Sequence, residues 1–153
     1  MNLRSGMALM SLTICTYGQI EASSRGTFSP EDEVIIQQKW TDAIETPSGL
    51  RYVVQEEGEG HPPMKGVRLK VLYKGSLIDG TVFSSVSNEE KPFTFQLGRR
   101  QVIDGWEEAF REMRKGEKRI LIIPHELGYG LKGKKPKIPR RATLIFEVTL
   151  LDF

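Results

Sequence analysis

The two side chains of this chain best placed to do chemistry are a tryptophan and a tyrosine. Trp106 stands in Val102-Ile103-Asp104-Gly105-Trp106, where a helical pattern opens, and Tyr129 stands in the glycine-bracketed loop Gly128-Tyr129-Gly130. No nucleophile–base pair and no phosphate loop accompanies them. His61 lies in a Gly-His-Pro-Pro loop and His125 follows Pro124; neither has ligand-spaced companions, so no metal and no cofactor is expected. Glu107 and Glu108 are neighbours on a helix and point in different directions, which suits charges at a helix end better than an acid–base couple. What remains is an apolar pocket that works by shape and by a few backbone donors, the common form of a ligand site.

The elements that must position these residues are legible as patterns. Val67, Leu69, Val71 and Tyr73 alternate with more polar neighbours, the mark of a half-buried strand with Tyr73 on its inner face. Asp79-Gly80 signals a hairpin turn. Phe93, Phe95 and Leu97 alternate after Pro92, and Arg119 to Ile123 and Thr143 to Leu151 supply further strands. Between them, Ile103, Trp106, Phe110 and Met113 recur at helical spacing, predicting a helix from about Asp104 to Lys115 with Gly116 as its stop. The acids at its start and the bases at its end complement the helix dipole. One short helix among antiparallel strands predicts an α+β fold, an antiparallel β-sheet wrapped around that helix.

Upstream, residues 23–48 read as a leader with one helix, opened by Ser29-Pro30-Glu31-Asp32. Val34, Ile35, Gln38 and Ala43 give it a patchy apolar face, with Trp40 as its one large anchor. Thr46-Pro47-Ser48-Gly49 marks the boundary to a domain over 49–153. The first 22 residues resemble a secretory signal peptide. Arg4 gives a basic start, Met7 to Tyr17 is a short apolar run, and small residues follow from Ala22. The run is too short to span a bilayer. Cys15 lies within it, so cleavage would leave no thiol. Over 153 residues the net charge is only +2, which by itself implies neither nucleic-acid nor membrane binding. Lys132, Lys134, Lys135, Lys137, Arg140 and Arg141 form a local basic cluster. No aromatic residues interleave with it, so it reads as a solvated loop rather than a strand-stacking surface, with selection of acidic partners left open.

From about Gly49 to Phe153 these residues resemble the FKBP-type peptidyl-prolyl cis/trans isomerases. The resemblance rests on five blocks in order: Tyr73-Lys74-Gly75 with Asp79-Gly80 and Phe83; Pro92 to Gly98; Val102 to Glu107; Tyr129-Gly130; and Ile138-Pro139 with Ala142 to Phe146. Thr46 to Tyr52 is similar to the opening strand of bacterial members. The resemblance implies a proline pocket of Tyr73, Phe83, Phe93, Val102, Ile103, Trp106, Tyr129, Ile138 and Phe146. Trp106 would lie beneath the prolyl ring, while the Ile103 N–H and the Tyr129 hydroxyl would bind peptide carbonyls. Phe95 and Phe110 are expected to be core alone.

Three positions depart from the family pattern. Ser84 replaces an aspartate expected to hold its tyrosine neighbour, Glu89 replaces a common arginine, and Gln101 replaces a glutamate whose backbone carbonyl contacts ligands. The implied function is isomerisation of X-Pro bonds in unfolded or flexible polypeptides, by an exported, monomeric, bacterial periplasmic protein. Ser84 leaves open a reduced activity, or a non-catalytic module that binds proline peptides or a partner protein. A macrolide ligand of the rapamycin type is also implied.

Overall fold

The computed structural model describes residues 25–153; the signal-peptide reading of residues 1–22 lies outside them. Helix α1 spans Pro30–Lys39, helix α2 spans Asp104–Glu112, and the strands are β1 (Ile44–Glu45), β2 (Arg51–Glu56), β3 (Arg68–Leu77), β4 (Val82–Val86), β5 (Phe93–Gln96), β6 (Lys118–Ile123) and β7 (Leu144–Asp152). The strands form one antiparallel sheet in the order β1-β2-β6-β7-β3-β4, with β5 paired to β3. The predicted α+β class is what the chain adopts.

Period-two alternation sorts the sheet's side chains onto two faces. In β6, Leu121 and Ile123 point to the main core while Ile122 points away; in β7, Leu144, Phe146, Val148 and Leu150 face the core while Ile145 does not. Helix α2 lies against the core face and buries Trp106, Ala109 and Phe110. Its close approach depends on Gly105, where a Cβ would stand 2.8 Å from Ile123 Cγ2.

Helix α2 ends three residues earlier than its periodicity predicts. Met113 adopts extended backbone (φ −76°, ψ 147°), and its side chain is fully buried. Side chains from the turn and strand that follow terminate the helix. The Arg114 N–H donates to the Glu117 carboxylate at 2.8 Å, and Glu117 pairs with Arg119 in a buried ion pair. These partners lie beyond the helical repeat, so hydrophobic spacing does not reveal them.

The far face of the sheet is covered by helix α1. Ser29 caps it, its hydroxyl accepting from the Asp32 N–H at 3.1 Å. The anchor is Ile36, 1% exposed, rather than the expected set: Val34 is 55% exposed, and Trp40 packs only partly buried beside Ile36, Ile122 and Ile145. Three consecutive apolar residues, Val34 to Ile36, leave the facing direction undecided in the sequence; the sheet decides it. Arg51 of β2 fastens the helix further. It donates to Glu33 at 2.8 Å and to Glu45 at 2.7 Å, and lies 5.0 Å from the Phe28 ring. The hydrogen bond from Arg51 holds the Glu33 carboxyl below the ordinary carboxylate range.

Truncation of the anchor tests whether α1 belongs to the cooperative unit. Ile36→Ala should cost about 2–4 kcal/mol in urea unfolding followed by circular dichroism. A loss well under about 1 kcal/mol would mean that α1 detaches independently.

Candidate functional site: an aromatic cavity beneath a basic flap

The N-terminus of α2, the ends of β3 to β5 and the loop before β7 converge on one cavity of about 500 Å³. All ten residues singled out from the sequence line it: Tyr73, Phe83, Ser84, Phe93, Val102, Ile103, Trp106, Tyr129, Ile138 and Phe146. Phe95 and Phe110 lie outside the lining and are buried to 1% and 0% exposure, as expected of core residues.

Trp106 is the hub of the lining. Its ring meets Tyr73 edge-on at 5.1 Å, Phe146 at 5.2 Å and Phe93 at 5.9 Å, while Phe110 lies against it at 5.4 Å from the core side. Edge-to-face contacts of this kind contribute about 0.5–1.5 kcal/mol each beyond area burial. The Trp106 Nε1–H is buried without an acceptor among the described residues. Cross-strand register brings the rest together. Gly75 sits opposite Phe146 on one side and Ser84 on the other, and a Cβ at Gly75 would lie 2.6 Å from Phe146 Cε1 and 2.8 Å from the Phe83 ring. Glycine here lets both rings close over the strand.

Ser84 does what an aspartate was expected to do for its tyrosine. The Tyr73 hydroxyl and Ser84 Oγ are 2.8 Å apart, a hydrogen bond in which either group can donate. The tyrosine is thus fixed without a charge. Gln101 also lines the cavity, but its side-chain oxygen accepts from the Gln96 N–H at 2.9 Å. Glu89, by contrast, is exposed and takes no part in the lining.

Besides the Trp106 Nε1–H, the lining leaves the Ile103 N–H and the Tyr129 hydroxyl free among the described residues. The Ile103 N–H has no acceptor among the described residues, because Ile103 is the extended N-cap of α2 (φ −62°, ψ 153°) and only its carbonyl joins the helix. The Tyr129 hydroxyl likewise makes no hydrogen bond among the described residues. Both are suited to a ligand's carbonyl oxygens.

Two contributions were missed in the sequence. Glu107, only 5% exposed, accepts from the Gly98 N–H at 2.6 Å and from the Arg100 N–H at 3.0 Å. It thereby fixes the loop that leads into Val102 and Ile103. Its spacing to Gly98 gave no signal, since the contact exists only once β5 and α2 are in place. The other contribution is Lys134, Lys135, Pro136 and Lys137, which line the rim, though the sequence favoured a solvated loop. Their position between Tyr129 and Ile138 was the available clue. Mutual backbone hydrogen bonds of 2.9 Å between Lys134 and Ile138 pin this flap, and Ile138 is buried in the cavity wall. Among the described residues no group of acids, histidines or cysteines could hold a metal.

Gly75→Ala should destabilise the protein by about 1–3 kcal/mol, the usual cost of overpacking, and weaken ligand binding by displacing Phe83 and Phe146. Denaturant unfolding and tryptophan fluorescence titration with a proline peptide check both. No change in either would show that the two rings move aside freely.

Comparison with known proteins places this geometry. A family model described as FKBP-type peptidyl-prolyl cis-trans isomerase matches residues 59–151. Peptidyl-prolyl cis-trans isomerase FKBP2 of Mus musculus is 52% identical over 94 residues, covering 60% of this chain and 67% of that protein. An FK506-binding protein of Neisseria meningitidis serogroup A is 49% identical over 96 residues, 63% of this chain and 88% of that protein. The crystal structure of FkpA from Escherichia coli superposes with a TM-score of 0.69 at 39% identity, over 80% of this chain and 55% of that one.

Proposed function

The chain belongs to the FKBP-type peptidyl-prolyl cis-trans isomerase family, and from that premise we propose that it accelerates X-Pro isomerisation in unfolded or flexible polypeptides, with residues 49–153 as the isomerase domain. The observation that carries the reading is an aromatic cavity, lined by no carboxylate among the described residues, into which the Ile103 N–H and the Tyr129 hydroxyl bring unpartnered donors.

The chemistry needs no more than this. The peptide bond resists rotation by about 18–20 kcal/mol because of its partial double-bond character, and X-Pro exchange takes about 10–100 s at 25 °C. Both isomers are populated, since trans is preferred only slightly before proline. Twisting the bond breaks its resonance and removes the charge separation on the carbonyl that water otherwise stabilises. A cavity that strips water therefore binds the twisted imide better than the planar one, the differential binding that catalysis requires. In this reading the prolyl ring rests on Trp106 between Tyr73 and Phe146. The Ile103 N–H and the Tyr129 hydroxyl hold carbonyls flanking the rotating bond, and Ser84 keeps Tyr73 in place. No covalent intermediate forms and no proton is transferred.

Protease-free NMR exchange on a Leu-Pro peptide tests this. Tyr129→Phe removes one hydrogen bond, about 0.5–1.5 kcal/mol, and should slow catalysed exchange about three- to tenfold. Adding Trp106→Ala should abolish it, with circular dichroism verifying the fold. Unchanged exchange in the double variant would place the activity elsewhere. The neutral Tyr73–Ser84 pair motivates a second reading, a recognition module without catalysis. Peptide binding without acceleration, with exchange restored by Ser84→Asp, would select it.

We further propose that the cavity takes a macrolide of the rapamycin type; the meningococcal relative is named an FK506-binding protein. Export to a bacterial periplasm is supported by Arg4, the apolar run from Met7 to Tyr17 and the small residues from Ala22. Mass spectrometry of the protein recovered from a bacterial periplasm should find the N-terminus at or near Ser23; an intact Met1 would refute processing.

A further inference from the structure

The flap over the cavity concentrates charge in a way the isomerase reading leaves unused. Residues 132–141 contain six of the chain's 22 lysines and arginines and none of its 20 acids, so acids outnumber basic residues over the rest of the chain. Elsewhere the basic residues are interspersed with acids, and five of them form ion pairs: Lys70 and Lys115 with Asp152, Arg25 and Arg51 with Glu45, Arg51 also with Glu33, and Arg119 with Glu117. The six flap cations form no ion pair among the described residues.

Three of them, Lys134, Lys135 and Lys137, line the cavity while staying exposed. Lys137 Nζ is 3.3 Å from the Phe83 carbonyl oxygen, and Lys134 Nζ is 5.3 Å from the centre of the Tyr129 ring. An ammonium group carries three donors, so Lys137 keeps capacity for a further acceptor. Among the described residues no aspartate or glutamate lines the cavity, and Ser84 brings no charge to its wall. A cavity of about 500 Å³ falls in the range of about 300–1,000 Å³ that holds ligands of drug size. One prolyl ring therefore leaves room for a neighbouring side chain near the rim.

We propose that this site prefers prolines preceded by an anionic side chain, a carboxylate or a phosphate, held by Lys134, Lys135 and Lys137. The proposal rests on the isomerase reading and names its substrate class. Clustered positive charge over a low-dielectric cavity raises the local concentration of anionic segments and speeds their capture. Exposed pairs are individually weak, and three together give about a tenfold preference.

The experiment is NMR exchange on four peptides that differ only in the residue before proline: leucine, glutamate, phosphoserine and lysine. At low salt, kcat/KM for the glutamate or phosphoserine peptide should exceed that for the lysine peptide by about tenfold. The ratio should collapse near 1 M salt, where screening acts within about 3 Å. Lys134→Glu, Lys135→Glu and Lys137→Glu combined should invert the order. The glutamate and phosphoserine arms tell which anion is preferred. Acceleration of the leucine peptide with equal rates for glutamate, phosphoserine and lysine would overturn the proposal and leave the isomerase reading standing. Failure to accelerate any peptide would overturn both. The salt series uses the unmodified protein, so it decides even if the triple variant does not fold.

Discussion

The seating of one ring, Trp106, among five others is the constraint on which the molecule depends. Its outer edges meet Tyr73, Phe93 and Phe146, and its inner side meets Phe110 and Phe95. The same side chain is thus the top of the core and the floor of the cavity. Helix α2 can deliver it there only because Gly105 lets the first turn lie against Ile123. Stability and binding therefore draw on the same contacts, and the site leaves little freedom to alter one without the other. It also explains why an enclosed aromatic site survives in a small domain: the cavity is an unfilled part of the core rather than a cleft added to it.

Much of this was legible in the sequence, and the reasons differ by residue. Tyr73, Phe93 and Phe146 could be placed because strand alternation puts them on the inner face, and Trp106 because helical spacing aligns it with Phe110. Which of those aromatics line the cavity and which are merely core followed from resemblance, since period alone treats Phe93 and Phe95 alike. Other features were not legible because they arise from long-range closure. The Tyr73–Ser84 bond needs the β3–β4 register, Glu107 needs the loop after β5, and the early end of α2 needs Glu117 and Arg119. Ile36 could not be singled out among three adjacent apolar residues until the sheet gave the helix something to face.

The leader does more than cover the sheet. Thr27 donates to Glu126 at 3.1 Å, just before the Tyr129 loop, and Thr143 donates to Asp32 at 2.6 Å, just after the flap. Residues remote in sequence thus brace both ends of the segment that carries Tyr129 and the lysines. The flap itself is held at its waist by the Lys134–Ile138 hydrogen bonds. A hairpin fixed at three levels presents its charges in a set place, which limits the entropy lost when a ligand docks.

The Tyr73–Ser84 pair has a bearing on the surroundings in which such a cavity can operate. A carboxylate in that place would take up a proton as the medium acidifies, and the tyrosine's partner would change from pure acceptor to donor. A serine has no proton to gain. Among the described residues no histidine lines the cavity either, so the hydrogen bond that holds its tyrosine has neither a carboxylate nor an imidazole beside it. The tyrosine is therefore anchored by a partner that stays a hydroxyl, donor and acceptor at once, whatever the acidity outside.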